Sequence, residues 1–248
     1  MLICFSSRKG GCGKSTLLCS MAGLLASMGY EVLVIDYDPQ GTAAFWSESR
    51  TEIVDVPMVY VASARNDSDL ERTLAKHEGQ YDFFLIDLPG VDSNDNREKL
   101  VHAHKVIIPF KPTQADLNTL AYVKKMNEKL IAANPKVQIY FVLNEVPTTT
   151  KRSSSSARRY FEHFGVPLLD VDIHQRQVFR DSITAGLSVC EMSNEKASDE
   201  VYRFVAEVLD VSVAEIRTLV RDNSIHKRSN VTQNSDNVTS ISDNVIQG

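Results

Sequence analysis

A glycine-rich loop between an apolar run and a helical pattern constrains this chain more than any other feature. Residues 6–16 read SSRKGGCGKST; the apolar run 2–6 precedes them, and the helical pattern 14–29 follows and ends on Gly29. Glycines let successive backbone N–H groups converge on one anion, and a helix N-terminus adds its positive end. The order strand, loop, G-K-S and helix therefore predicts a phosphate-binding loop.

The loop departs from the strict pattern G-x-x-x-x-G-K-[ST] at its first position. Arg8 stands where that pattern has its first glycine, and a second lysine, Lys9, follows. We expect Lys14 to reach the β- and γ-phosphates of a nucleotide and the Ser15 hydroxyl to ligate magnesium. The nucleotide-binding residues predicted in the loop are Gly10, Gly11, Cys12, Gly13, Lys14, Ser15 and Thr16.

Carboxylates follow two further apolar runs. Asp36 ends the run 31–36, Asp38 comes two residues later, and Asp87 ends the run 81–87. Side chains two apart on a strand point the same way, so Asp36 and Asp38 can both face the phosphates. A carboxylate after an apolar strand, such as Asp87, is typical of the Walker B position that holds hydrated magnesium. Pro89 and Gly90 then form a loop suited to sensing the γ-phosphate.

The alternation of apolar runs and helical patterns sets the fold class. Short β-branched runs of this kind favour strands that are buried on both faces. We predict an α/β fold of the P-loop NTPase type, with a mostly parallel twisted sheet flanked by helices on both faces. The predicted strands are 2–6, 31–36, 81–87, 105–110 and 137–144, and the later helices are 115–134 and 197–222. We expect residues 1–222 to form the ATPase domain and the polar residues 223–248 to form a disordered tail.

Composition narrows the function classes. The net charge of -5 argues against a protein surface that is basic throughout, as non-specific nucleic-acid binding often requires, so any DNA contact must be a local patch. The four cysteines lack C-x-x-C spacing, which argues against a zinc site or a disulfide framework. No apolar run reaches the length of a membrane span, and we therefore expect a cytoplasmic protein.

These motifs together resemble those of the deviant Walker ATPases, and specifically the ParA family of DNA-partition ATPases. The similarity rests on K-G-G-x-G-K-[ST] at 9–15, D-x-D-P-Q at 36–40 and the strand ending in Asp87, and it spans about residues 1–220. It implies ATP and Mg²⁺ as ligands and a nucleotide-dependent homodimer. In that family the extra lysine, here Lys9, contacts the phosphates of the nucleotide in the partner subunit.

The resemblance also implies roles for individual residues. Asp38 would position or activate the hydrolytic water, which makes Lys9, Lys14 and Asp38 the expected catalytic set. Ser15, Asp36 and Asp87 would form the magnesium shell. Asn144, at the end of the last predicted strand, would recognise the adenine edge, and Pro112 would line the base pocket; a turn-forming role for Asn144 stays open.

A basic segment follows the core motifs. Residues 151–180 contain six basic and three acidic side chains, a local charge of +3 in an acidic chain. We hypothesise that the ATP-bound dimer joins two such patches and binds DNA phosphates without sequence preference. A solvated helix face is the alternative. The candidate DNA-binding residues are Arg152, Arg158, Arg159, Arg176 and Arg180.

The resulting prediction is an ATPase that segregates a plasmid or chromosome. It would be nucleoid-associated and would act with a ParB-like, centromere-binding adaptor. The chain starts close to the loop strand, which suggests the short class without an N-terminal helix-turn-helix. We expect no membrane contact, because the polar tail lacks a basic amphipathic helix. An accessory ATPase of a conjugation or secretion locus, acting by protein docking, remains open.

Overall fold

A computed structural model of the chain describes residues 1–90, 99–149 and 152–224. Its centre is a seven-stranded sheet in the order β3-β2-β4-β1-β5-β6-β7, in which every neighbouring pair is parallel. The strands are β1 (Leu2–Phe5), β2 (Val32–Asp36), β3 (Tyr60–Ser63), β4 (Phe83–Asp87), β5 (Lys105–Phe110), β6 (Gln138–Val146) and β7 (Leu168–His174). The predicted parallel α/β fold is confirmed.

Helices lie between the strands and after the last of them. They are α1 (Lys14–Ser27), α2 (Thr42–Thr51), α3 (Asp67–Lys76), α4 (Gln114–Leu117), α5 (Leu120–Ala133), α6 (Arg152–His163), α7 (Val178–Ala185), α8 (Glu195–Leu209) and α9 (213–224), with a 3-10 turn at Val189–Glu191. Across the described ranges, none of these helices is long and apolar enough to cross a membrane. The predicted tail lies outside the described residues, apart from residues 223 and 224, which belong to α9.

Two apolar layers cover the two faces of the sheet. In β1, Ile3 and Phe5 join the layer formed with α1, α7 and α8, whereas Leu2 and Cys4 join the layer formed with α5 and α6. Successive side chains of a strand point to opposite faces, so one strand supplies both layers. This explains why the central strands are continuous apolar runs.

The sequence prediction missed β3 and β7, which are the two edge strands. In β3 both end residues are exposed, and in β7 polar residues alternate with buried ones. Neither segment is therefore a continuous apolar run. The single helix predicted at 197–222 was also wrong: Asp210 has a left-handed φ of 58° that ends α8 before α9 begins.

The strand register brings the predicted site residues together at the carboxyl ends of the central strands. Asp87 at the end of β4 pairs with Asp36 of β2 on one side and with Phe5 of β1 on the other. The loop after β1 therefore starts level with both carboxylates. Ligands of open α/β sheets bind at this edge, outside the carboxyl ends of the strands.

Candidate nucleotide-binding site

The loop after β1 depends on glycines with left-handed backbone. Gly11 and Gly13 have φ values of 73° and 83°, and Gly13 is the N-cap of α1. The first turn of α1 contains no acidic residue, so the positive end of this helix is not neutralised from within. The geometry suits an anion at the start of α1.

Asn144 and Gly90 both contact the loop closely. The Asn144 side chain is buried and its Nδ2 donates to the Cys12 carbonyl oxygen at 2.7 Å. A Cβ atom at Gly13 would lie 2.2 Å from that same Nδ2, and one at Gly90 would meet the loop backbone. The ends of β6 and β4 thus fix the loop's shape.

Asp87 has an unusual environment beside the loop. Its side chain is fully buried, and neither carboxylate oxygen has a hydrogen-bond partner among the described residues. Burial raises the pKa of Asp87 to about 7, although the Ser15 hydroxyl, close by but outside hydrogen-bonding geometry, and the Lys14 ammonium oppose this. Buried polar atoms without partners need an explanation, and a bound ion is one. Two free carboxylate oxygens near a hydroxyl fit a magnesium ion.

Asp36 differs from Asp87 because its oxygens are already engaged. They accept hydrogen bonds from the backbone N–H groups of Asp38 at 3.1 Å and Ala44 at 2.9 Å. Burial raises the pKa of Asp36, and these backbone donors oppose the rise. Asp36 thereby holds the turn between β2 and α2, which carries Asp38. Asp38 is half-buried, and its Oδ1 accepts from the Gln40 N–H at 3.0 Å.

Protein side chains alone do not form a metal cage here. Within residues 1–90, 99–149 and 152–224, no three His, Cys, Asp or Glu side chains are grouped so that they could hold a metal ion. Mg²⁺ usually takes one or two carboxylates and fills its shell with phosphate oxygens and water. The arrangement around Asp87 and Ser15 fits a magnesium ion that arrives with a nucleotide.

A cavity of about 240 Å³ adjoins the loop and the start of α1. Of the two residues predicted to contact the base, Asn144 lines this cavity and Pro112 does not. The cavity is also lined by the segment between β7 and α7, which carries Arg176, one of the candidate DNA-binding residues. The lining residues are Gly13, Thr16, Leu17, Asn144, Glu145, His174, Gln175, Arg176, Phe179 and Arg180.

Glu145 is a cavity residue that the sequence did not indicate. It has a left-handed φ of 54° at an irregular stretch of β6, where pairing with β7 shifts register between Leu143 and Val146. Its carboxylate pairs with the Lys111 ammonium at 2.8 Å. Non-glycine residues with this backbone cluster at functional sites. Only the fold reveals it, because Glu carries no turn preference of this kind.

Lys9 points away from the loop in this single chain. Its Nζ lies 3.0 Å from both the Ala115 carbonyl oxygen and Asp116 Oδ1, and its side chain is 47% exposed. Lys14, in contrast, is buried. The neighbouring Arg8 guanidinium stacks 4.5 Å from the centroid of the Tyr122 ring. The two lysines of the motif therefore have separate environments.

The five predicted DNA-binding arginines lie in two regions: Arg152, Arg158 and Arg159 on α6, Arg176 in the segment before α7, and Arg180 in α7. Arg152, Arg159 and Arg180 are exposed. Arg158 pairs with Asp172 at 2.5 Å, and Arg176 pairs with Glu200 at 2.8 Å. The charges of Arg158 and Arg176 are thus offset by carboxylates on the same chain.

Comparisons with known proteins show the family and the fold of the chain. The model of the CobQ/CobB/MinD/ParA nucleotide binding domain matches residues 3–189. A carboxysome-distribution protein A from Halothiobacillus neapolitanus is 28% identical over 81% of this chain and 93% of its own length. VirC1 of Rhizobium rhizogenes is 26% identical over 87% of this chain and 94% of its own length. The Mg-ADP complex of the septum site-determining protein MinD from Pyrococcus horikoshii is 20% identical, superposes with a TM-score of 0.64, and covers 84% of this chain and 95% of its own.

Proposed function

The chain belongs to the CobQ/CobB/MinD/ParA nucleotide-binding domain family, and from this premise we propose that it is a magnesium-dependent ATP hydrolase that ATP converts from single chains to a homodimer. The observation that carries the proposal is Asp87, a buried carboxylate beside the phosphate loop whose oxygens accept no hydrogen bond from any described residue. Burying a carboxylate is costly unless it is paired, and a bound cation would supply the partner.

Phosphate binding is assigned to the loop. The backbone N–H groups of 10–16 and the Lys14 ammonium would hold the phosphates, and Asn144 with the adjoining cavity would hold the base. Ser15 and Asp87 would hold Mg²⁺, which when bound supplies positive charge that offsets the charge of the phosphates. The engaged oxygens of Asp36 favour a supporting role for this residue.

Hydrolysis is assigned to a water that Asp38 orients. The Gln40 N–H holds one oxygen of the Asp38 carboxylate, which fixes the direction of the group. The water oxygen attacks the γ-phosphorus while the bond to the bridging oxygen breaks, giving ADP and inorganic phosphate. Lys9 of the second subunit would add a cation to the phosphates, and this would link ATP binding to dimerisation.

We propose that the ATP-bound dimer binds non-specific DNA and segregates a plasmid or chromosome with a ParB-like adaptor. The exposed Arg152, Arg159 and Arg180 support a phosphate-binding surface. A second candidate is an accessory ATPase that acts by docking to a protein. It is favoured by the ion pairs of Arg158 and Arg176, which reduce the charge available to DNA.

Retention on DNA separates these two functions. The full chain is tested on non-specific duplex DNA with ATP, ADP or no nucleotide, over a series of salt concentrations. DNA partition predicts retention with ATP alone and an affinity whose logarithm falls linearly with the logarithm of salt. Retention should fall in Arg159→Glu and persist in Arg221→Glu, a matched charge change on the exposed face of α9. Absence of retention with every nucleotide would favour protein docking.

A further inference from the structure

The mouth of the phosphate loop is attached to the helices that follow β5. Arg8 stacks on Tyr122 of α5, and Lys9 pairs with Asp116 of α4, so two consecutive basic residues contact one surface about a hundred residues away in sequence. The Ser7 hydroxyl donates to the Lys9 carbonyl oxygen at 2.7 Å, and this hydrogen bond constrains the backbone from Ser7 to Lys9. Lys9 is therefore held in place by its own chain.

Asp116 is itself well ordered by local contacts. Its backbone N–H donates to the hydroxyl of Thr113, the N-cap of α4, and its Oδ2 accepts from that hydroxyl at 2.5 Å. Its Oδ1 is left to accept from Lys9 at 3.0 Å. The contacts with Thr113 thus hold the Asp116 carboxylate in position independently of its contact with Lys9.

We propose that Asp116 is a positioning residue that holds Lys9 on its own subunit and opposes dimerisation until ATP binds. The inference rests on the proposed function, in which Lys9 contacts phosphates of the partner's nucleotide. A carboxylate next to those phosphates would repel them, so Lys9 must leave Asp116 before it can neutralise their charge. Arg8 on Tyr122 keeps the loop mouth on α5 while Lys9 moves, because cation–π stacking does not use the lysine.

The size of the effect follows from the exposure of the pair. An exposed ion pair is worth at most about a fivefold change in an equilibrium. A dimer releases two such pairs, so Asp116 should lower the association constant by up to about 25-fold. The Lys9–Asp116 pair therefore raises the protein concentration at which ATP produces dimers, but it does not prevent dimerisation.

Asp116→Asn tests this role. It keeps the shape of the side chain and removes its charge. The matched control is Asp199→Asn, which removes the same charge from another exposed pair of 3.0 Å, with Arg217. Sedimentation with ATP should show tighter dimerisation of Asp116→Asn by roughly 2- to 25-fold, and no change for the control. In the nucleotide-free chain, amine labelling followed by mass spectrometry should show faster modification of Lys9 only in Asp116→Asn.

The outcomes separate this inference from the function on which it rests. Equal or weaker dimerisation of Asp116→Asn, or an unchanged labelling rate of Lys9, would overturn the role of Asp116 and leave the ATP-dependent dimer intact. Absence of ATP-dependent dimers in the unmodified chain would overturn the proposed function, and the role of Asp116 would fall with it.

Discussion

Gly90 rests directly on the phosphate loop: a Cβ atom on Gly90 would lie 2.7 Å from the Cα atom of Gly10. The chain that leaves Asp87 at the end of β4 therefore touches the loop backbone three residues later. Through this contact, a change in loop conformation on phosphate binding would act directly on residues 88–90.

Gly90→Ala is expected to destabilise the nucleotide-free chain by about 1–3 kcal/mol, because the added methyl group meets backbone atoms that cannot rotate away. The free energy of unfolding in urea measures the effect. Gly10→Ala is the matched control, since a Cβ at Gly10 meets nothing within 4 Å. Equal stabilities of the two variants would contradict the contact.

Asp87 should make stability depend on pH. Its pKa is raised from 3.8 to about 7 in the folded chain, so the folded state binds a proton that the unfolded state has lost between these values. The free energy of unfolding should therefore fall as pH rises from about 4 to 7 and level off above 7. Asp87→Asn removes this contribution and should gain stability relative to the unmodified chain over that window, by no more than about 4 kcal/mol. A difference between the two proteins that stays constant from pH 4 to 8 would show that Asp87 is ionised throughout.

A buried ion pair joins α2 to the segment before α8. Arg50 is 1% exposed, and its two terminal nitrogens each lie 2.8 Å from an oxygen of Glu191. Glu191→Gln leaves the buried guanidinium without its counter-charge, so we expect a loss of about 3–5 kcal/mol in the free energy of unfolding. Asp199→Asn, which breaks an exposed pair, should cost less than about 1 kcal/mol. Similar losses in the two variants would mean that the Arg50 pair is solvated.

Arg158 and Arg159 are neighbours in sequence with different expected roles. Arg159 is exposed, whereas Arg158 donates to the carbonyl oxygens of Leu169 and Asp170 in addition to its ion pair. Arg159→Ala should make the slope of log DNA affinity against log salt concentration less steep. The expected change in that slope is about 0.9 for each phosphate that this arginine neutralises. Arg158→Ala should leave that slope unchanged and lower stability instead. A slope that depends on Arg158 alone would assign the DNA contact to the paired arginine.

The sequence was sufficient to predict the central strands of the sheet but not its two edge strands. The central strands are apolar on both faces, so they were visible as continuous runs, whereas β3 and β7 are partly solvated and have no such pattern. Three of the polar side chains beside the loop could be anticipated because Lys14, Asp36 and Asp87 follow local motifs.

Contacts between distant segments could not be anticipated in the same way. The pairing of Lys9 with Asp116 depends on where α4 lies after β5, and the left-handed backbone of Glu145 depends on the register of β6 against β7. Arg158 and Arg176 look like free positive charges in the sequence because their carboxylate partners belong to other elements.

A comparison of the alanine variants of Lys14 and Lys9 tests most directly the central claim that the two lysines have different roles. Lys14 is buried beside Asp87, whereas Lys9 is partly exposed and pairs with Asp116 of α4, so the two lysines should fail differently when replaced by alanine. We would measure ATP binding and molecular mass in solution for both variants. The account predicts that Lys14→Ala loses ATP binding, whereas Lys9→Ala keeps much of it and stays a single chain with ATP. Equal loss of ATP binding in both variants, or an ATP-dependent dimer of Lys9→Ala, would contradict the account.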